Sequence, residues 1–173
     1  MVTVENCIRN IEAYLSIQLV MHDNDFTVEW KIDPQVKAEK VPKLILQPVV
    51  ENALEHGLDV KEEGDKILQL SFLDAGDAVL LRVEDNGMGM RKEVLENILK
   101  DNNKVPKHGS GVGVINVHSR IQLMFGEQYG LEIYSEPDEG TRVVIHIPAI
   151  PYTKENAEQL EMQKIHTGGG NVE

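Results

Sequence analysis

Apolar residues recur along this chain with two different periods, and the switches between them mark its elements. From Thr3 to Val20, Val4, Ile8, Ile11, Leu15 and Leu19 step by three or four, which lays one apolar stripe along a helix. The stripe needs a cover, either the rest of the same domain or the second helix of a hairpin, and the pattern leaves both open. Phe26, Val28, Trp30 and Ile32 then alternate with polar residues, as a half-buried strand does. The helical period returns over Leu44 to Leu58, LILQPVVENALEHGL, where Leu46, Val49, Val50, Ala53 and Leu54 would pack inward. On that helix Asn52 and His56 lie four apart and share a second face, with Glu51 and Glu55 as a neighbouring row. Pro42 suits the helix start, Pro48 predicts a bend or a distorted first turn, and Gly57 predicts a left-handed C-terminal cap.

The remaining pattern is mostly strand. Lys66 to Leu73 and Ala78 to Glu84 read as a hairpin around the turn Asp74-Ala75-Gly76-Asp77, after a charged loop at Lys61 to Asp65. The second strand runs into Asp85-Asn86-Gly87-Met88-Gly89-Met90. Arg91 to Leu99 resembles a short helix, and DNNKVPKH, residues 101–108, has loop composition. Gly109-Ser110-Gly111-Val112-Gly113 introduces a helix to about Phe125, with Val114, Val117, Ile121 and Met124 inward. Leu131 to Ser135 and Thr141 to Ile147, joined by a turn at Pro137 to Gly140, close the order. That order predicts an α/β fold, a mixed sheet with helices packed on one face. From Pro151 the chain turns polar and reads as a tail, with an optional helix near Lys154 to Ile165.

Length and charge narrow the picture. At 173 residues the chain fits one domain with a sizeable core. Seventeen Lys and Arg against 29 Asp and Glu give a net charge of -12, which repels polyphosphate backbones, so nucleic acid is not an expected partner. A small phosphate ligand is compatible, because oriented backbone amides and a cation make a local positive site. The single cysteine, Cys7, excludes an internal disulfide and fits a reducing, cytoplasmic setting. No stretch is long and apolar enough to span a bilayer, so a membrane anchor of a parent protein would lie outside these residues.

Three groups carry candidate chemistry. Asp85 ends a strand with a carboxylate that is costly to bury unless something donates to it. An adenine amino group would serve, where guanine offers a carbonyl. Gly87 and Gly89 would let the main chain approach a purine, although Asp-Asn-Gly is also a common turn. Gly109, Gly111 and Gly113 lead into a helix whose amides could face phosphate oxygens, or they form a hinge. Their spacing is not the dinucleotide fingerprint, and no Walker-type G-K-[ST] is present. Asn52 offers a neutral amide oxygen suited to Mg²⁺ held mostly by phosphate and water, and the histidines show no zinc spacing.

With these motifs in order, the chain resembles the GHKL ATPase superfamily, and within it the catalytic and ATP-binding domain of sensor histidine kinases of the YesM and LytS group. LQPVVENALEHG (Leu46 to Gly57) is similar to the N box, VEDNGMGM (Val83 to Met90) to the G1 box and GSGVGVINVHSRI (Gly109 to Ile121) to the G2 box. SEPDEGTRVVIHIP (Ser135 to Pro148) is similar to the closing strands. The resemblance implies the Bergerat two-layer α/β sandwich and the cofactors ATP and Mg²⁺. It implies Asn52 as metal ligand with His56 beside it, Asp85 as the adenine-reading acid, and Gly87 and Gly89 under the base. Gly111 and Gly113 would hinge the lid over the phosphates, with Gly109 also on the nucleotide; Asn116 and Arg120 would lie near the lid's base, and Thr141 would assist adenine binding through water. Glu51 would orient or activate the incoming nucleophile. Glu55 departs from the basic residue many such kinases carry, and Val114 from the more usual Leu.

The resemblance also implies a division: residues 1–22 as a helix from the end of the dimerisation and phosphoacceptor region, 23–150 as the ATP-binding domain, and 151–173 as a tail. No histidine has the acceptor's setting, so the expected acceptor is a helix elsewhere in a dimeric, membrane-anchored parent, with a response regulator downstream. The alternatives are a stand-alone GHKL ATPase or an anti-sigma-type serine kinase, and an interaction module with a decayed site. Retention of Asn52, Asp85 and the motif glycines argues against the last.

Overall fold

The computed structural model describes residues 1–100 and 112–150. They run in the order β1 (Val2–Thr3), α1 (Val4–Met21), β2 (Thr27–Ile32), a 3-10 turn (Pro34–Val36), β3 (Lys40–Val41) and α2 (Gln47–Asn52). A π-helical turn (Ala53–Leu58) continues α2, followed by β4 (Ile67–Asp74), β5 (Ala78–Asp85), α3 (Lys92–Lys100), α4 (Val112–Phe125), β6 (Gly130–Glu136) and β7 (Gly140–Pro148).

Helix α1 begins where Thr3, still extended, turns its side chain to accept from the Asn6 amide at 3.2 Å. It stops where Asp23 and Asn24 adopt left-handed φ of 53° and 55°, a conformation their short polar side chains tolerate. The Asn24 amide then returns to the Leu19 carbonyl at 2.8 Å. Val4, Cys7, Ile8, Ile11 and Leu15 are buried in the same core as the sheet, which answers what covers the stripe.

The five-stranded sheet has the order β2-β4-β5-β7-β6, with β2 parallel to β4 and the remaining pairs antiparallel. A separate ribbon pairs β1 with β3. The registers line residues up in rows on the face that meets the helices. One row is Ile32, Phe72, Leu81, Ile145 and Leu131, and the next is Trp30, Leu70, Val83, Val143 and Ile133. The third starts as Val28 and Leu68 and continues as Asp85, Thr141 and Ser135. Alternation makes every second residue face the helices, so the polar end of this row is delivered to the interior at one end of the sheet.

On the helical layer, α4 contributes Val114, Val117 and Ile121 to the core, and its His118 accepts from the Leu131 amide at 2.9 Å, tying helix to sheet. Two expectations are corrected here. The helix does not run from Leu44: Leu44 has a φ of 60° and the helix starts at Gln47, so Pro48 sits in its first turn, where no amide partner is lost. Gly57 is not a left-handed cap. It lies inside the π-helical turn, and the Asp59 amide reaches back five residues to the Leu54 carbonyl at 2.8 Å.

Candidate functional site

The polar end of the third row is the bottom of the site. Asp85 is 5% exposed, and its Oδ1 accepts from the Gly87 amide at 2.9 Å. Burial pushes its carboxyl up to about 6, against the amide bonds from Gly87 and Thr141 and the Lys61 charge, with Glu84 adding to the rise. Beside it the Ser135 hydroxyl meets the Thr141 hydroxyl at 2.9 Å, accepts from the Met90 amide at 2.8 Å and donates to the Gly140 carbonyl at 3.1 Å. Sequence reasoning did not single out Ser135. Its signal was its place one strand over from Thr141, visible only once register is known.

The loop after Asp85 is held in place from both sides. The Asn86 side chain accepts from the Ile67 amide and donates to the Asp65 carbonyl, both at 2.8 Å. Lys61 Nζ donates to the Asn86 and Asp65 carbonyls at 2.9 and 2.8 Å. The Met88 amide reaches the Gly57 carbonyl at 3.3 Å, and the Asp138 amide reaches the Met88 carbonyl at 2.7 Å. Asn86 and Lys61 were also missed. A carboxamide directly after a strand is a signal for such backbone clasping.

Across the cavity stands the π-helical turn. Such turns widen the helix locally and recur at functional sites. Here Gly57 approaches so closely that a Cβ on it would lie 2.8 Å from Asp85 Cγ, and a Cβ on Gly87 would run into the Gly57 backbone. The glycine at 87 is therefore required by the approach of the π-helical turn at Gly57.

Asn52, His56, Gly57, Asp85, Gly89, Met90 and Thr141 line a cavity of about 170 Å³. Of the residues expected from sequence, the fold thus brings Asn52, His56, Asp85, Gly89 and Thr141 together. Glu51 is half-buried beside Asn52 and accepts from Gln47 Nε2 at 3.1 Å, outside the lining. Asn116 and Arg120 are exposed on α4, and the Arg120 guanidinium is engaged by the Lys43 carbonyl at 2.7 Å. A Cβ on Gly113 would lie 3.2 Å from Pro48 Cβ, so α4 begins against α2. Gly109, Gly111, the loop at 101–108 and the tail from Pro151 lie outside the described residues. No group of three or more His, Cys, Asp or Glu among the described residues could hold a metal by itself.

The family model for histidine kinase-, DNA gyrase B- and HSP90-like ATPases matches residues 38–151. The chain belongs to that ATPase family. The match contains the whole cavity and bears out the resemblance seen in the three boxes. Sensor histidine kinase YesM of Bacillus subtilis (strain 168) is 37% identical over 147 residues, 85% of this chain and 24% of YesM. Sensor histidine kinase YpdA of Escherichia coli (strain K12) is 33% identical over 138 residues, covering 80% of this chain and 23% of YpdA. Sensor protein LytS of Bacillus subtilis (strain 168) is 32% identical over 142 residues, 82% and 23%. The chain spans about a quarter of the length of these relatives.

Among solved structures, the nucleotide-free catalytic domain of histidine kinase ThkA superposes with a TM-score of 0.61 at 15% identity, over 87% of this chain and 97% of that one. The histidine kinase domain of a blue-light activated kinase from Erythrobacter litoralis gives a TM-score of 0.51 at 22% identity, over 81% and 56%. The fold of this ATPase-family chain is accordingly the α/β sandwich with a mixed sheet and helices on one face that the motifs implied.

Proposed function

We propose that this chain is the ATP-binding catalytic domain of a two-component sensor histidine kinase, which positions Mg·ATP for phosphoryl transfer to a histidine outside these residues and onward to a response regulator. The observation that carries this reading is a buried Asp85 at the bottom of a cavity whose opposite wall presents Asn52. A carboxylate with desolvated surroundings favours a ligand that donates to it, and the adenine amino group is such a donor. The cavity is smaller than the ~300–1,000 Å³ of whole-ligand sites. It suits a purine base, with sugar and phosphates extending out of it past Asn52 and His56.

The donor set fits magnesium bound through a nucleotide. Asn52 supplies one neutral oxygen, and with no carboxylate cluster among the described residues to neutralise the ion, the charge balance falls to the phosphates. A bound magnesium ion would neutralise charge on the transferring group. The chain's own residues bind and orient: Asp85 and Thr141 hold the base, Gly89 and Met90 wall it in, and Asn52 and His56 face the sugar and phosphate side. Gly109, Gly111, Gly113, Asn116 and Arg120 belong to the proposed lid and its base, and Glu51 is the candidate for orienting the incoming histidine.

In the proposed parent, a dimer anchored in the membrane, residues 1–22 continue from the phosphoacceptor region, 23–150 form the nucleotide domain and 151–173 are a tail. That parent's acceptor helix is the expected partner. The experiment mixes the chain with γ-labelled ATP and a peptide carrying the acceptor helix. Acid-labile label on histidine is expected. Acid-stable label on serine would move the chain to the anti-sigma-type class.

A further inference from the structure

Three polar contacts converge on the Ser135 hydroxyl, and counting protons assigns them. The Met90 amide can only donate, so it takes one lone pair of Ser135 Oγ, 2.8 Å away. The Gly140 carbonyl can only accept, so at 3.1 Å it takes the one proton of Ser135. The Thr141 hydroxyl at 2.9 Å is then satisfied only by donating its own proton to the second lone pair of Ser135. The reverse arrangement, with Ser135 donating to Thr141, leaves the Gly140 contact without a proton. Only the first arrangement uses the full capacity of a hydroxyl, one donor and two acceptor positions.

We propose that Ser135 is a specificity-determining residue: by taking the Thr141 proton, it leaves Thr141 able only to accept, so the cavity floor selects a base edge that donates. The proposal rests on the nucleotide reading above and deepens it. Asp85 accepts, Thr141 accepts, and the two are adjacent partners across β5 and β7. An exocyclic amine has two N–H groups, enough for both, directly or with a water between. A keto group at the same ring position brings a third acceptor and is repelled by both residues. Ser135 touches no ligand in this scheme; it acts through the direction of its neighbour's proton, and it also anchors Met90 of the wall.

The test compares ADP with inosine diphosphate, which differ at that ring position, by calorimetry on the full 173-residue chain. Wild type should prefer ADP. Ser135→Ala frees the Thr141 hydroxyl to rotate and donate to a keto oxygen, and should lower the ADP preference by roughly tenfold, the size of one reassigned hydrogen bond. Ser135→Thr, which keeps the hydroxyl, should restore it. In a Thr141→Val background Ser135→Ala should no longer change the preference. If Ser135→Ala does not fold, as read by melting, Ser135→Cys with its weak thiol takes its place. An unchanged preference in a folded variant overturns the proposal, and so does an equal change with and without the Thr141 hydroxyl, which would place the effect in Met90. Wild type that binds neither diphosphate would instead sink the nucleotide reading itself.

Discussion

At the sheet end of the cavity Asp85 is 5% exposed and hydrogen-bonded to the Gly87 amide, and Ser135 and Asn86 are each bonded to backbone as well. Across from it, the His56 side chain is 46% exposed, with the Glu55 carboxylate at 3.9 Å. The first wall is finished before any ligand arrives. Rigid placement lowers the ordering cost of binding, and in the proposed function that matters most at the carboxylate that reads the base. In the proposed function the second wall exchanges hydration for contacts with a charged ligand. The contrast fits a division of labour between reading a base and handling phosphates.

The largest effect is expected where the finished wall is most tightly built. Gly140 has a φ of 130°, and a Cβ there would run into the Asp85 carbonyl. Gly140→Ala should cost about 3 kcal/mol or more in urea unfolding, from backbone strain plus overpacking. A loss below 1 kcal/mol would show that this wall yields easily.

Next comes Asp85→Asn, which should weaken ATP binding by roughly 1–3 kcal/mol, the cost of a mispaired buried group, and blur the preference for adenine. The same residue gives a signed pH effect. Burial holds its carboxyl at about 6 against an ordinary 3.8, so between those values the folded chain binds more protons than the unfolded one. Stability should therefore fall as pH rises through that window and level off above it. Asp85→Asn should flatten that slope, and chemical unfolding at a series of pH values reads both.

On the open wall the effects shrink. Asn52→Ala should cost about 1 kcal/mol of ATP affinity with magnesium present and little once the metal is chelated. An equal loss in both buffers would remove Asn52 from the metal. Smallest is Arg120→Ala, which gives up one exposed bond to the Lys43 carbonyl, about 0.5–1 kcal/mol in thermal unfolding.

Much of this is legible in the sequence. The hairpin of β4 and β5 falls within one residue of its expected limits because two β-rich apolar runs flank a short Asp-Ala-Gly-Asp turn. Helix α1 falls equally close, since Thr3 caps it and its stripe is unbroken. Asp85 and Asn52 stood out because a carboxylate ending a buried strand and a carboxamide on an amphipathic helix each raise the question of a partner. The start of α2 is not legible: in sequence, Leu44, Ile45 and Leu46 continue the apolar run, and only packing shows that Leu44 turns left-handed and stays exposed.

By itself the sequence determined the main helices and strands, their order, the family and several of the polar side chains that had to be accounted for, because periodicity and glycine placement are local properties. The tertiary structure decided what those side chains face. Register set Ser135, Thr141 and Asp85 in one row, the close approach of Gly57 to Asp85 and Gly87 shaped the cavity, and Lys61 and the Asp65 carbonyl held Asn86 of the loop from 20 or more residues away. Such contacts join distant parts of the chain, and their energies depend on geometry that no local pattern encodes.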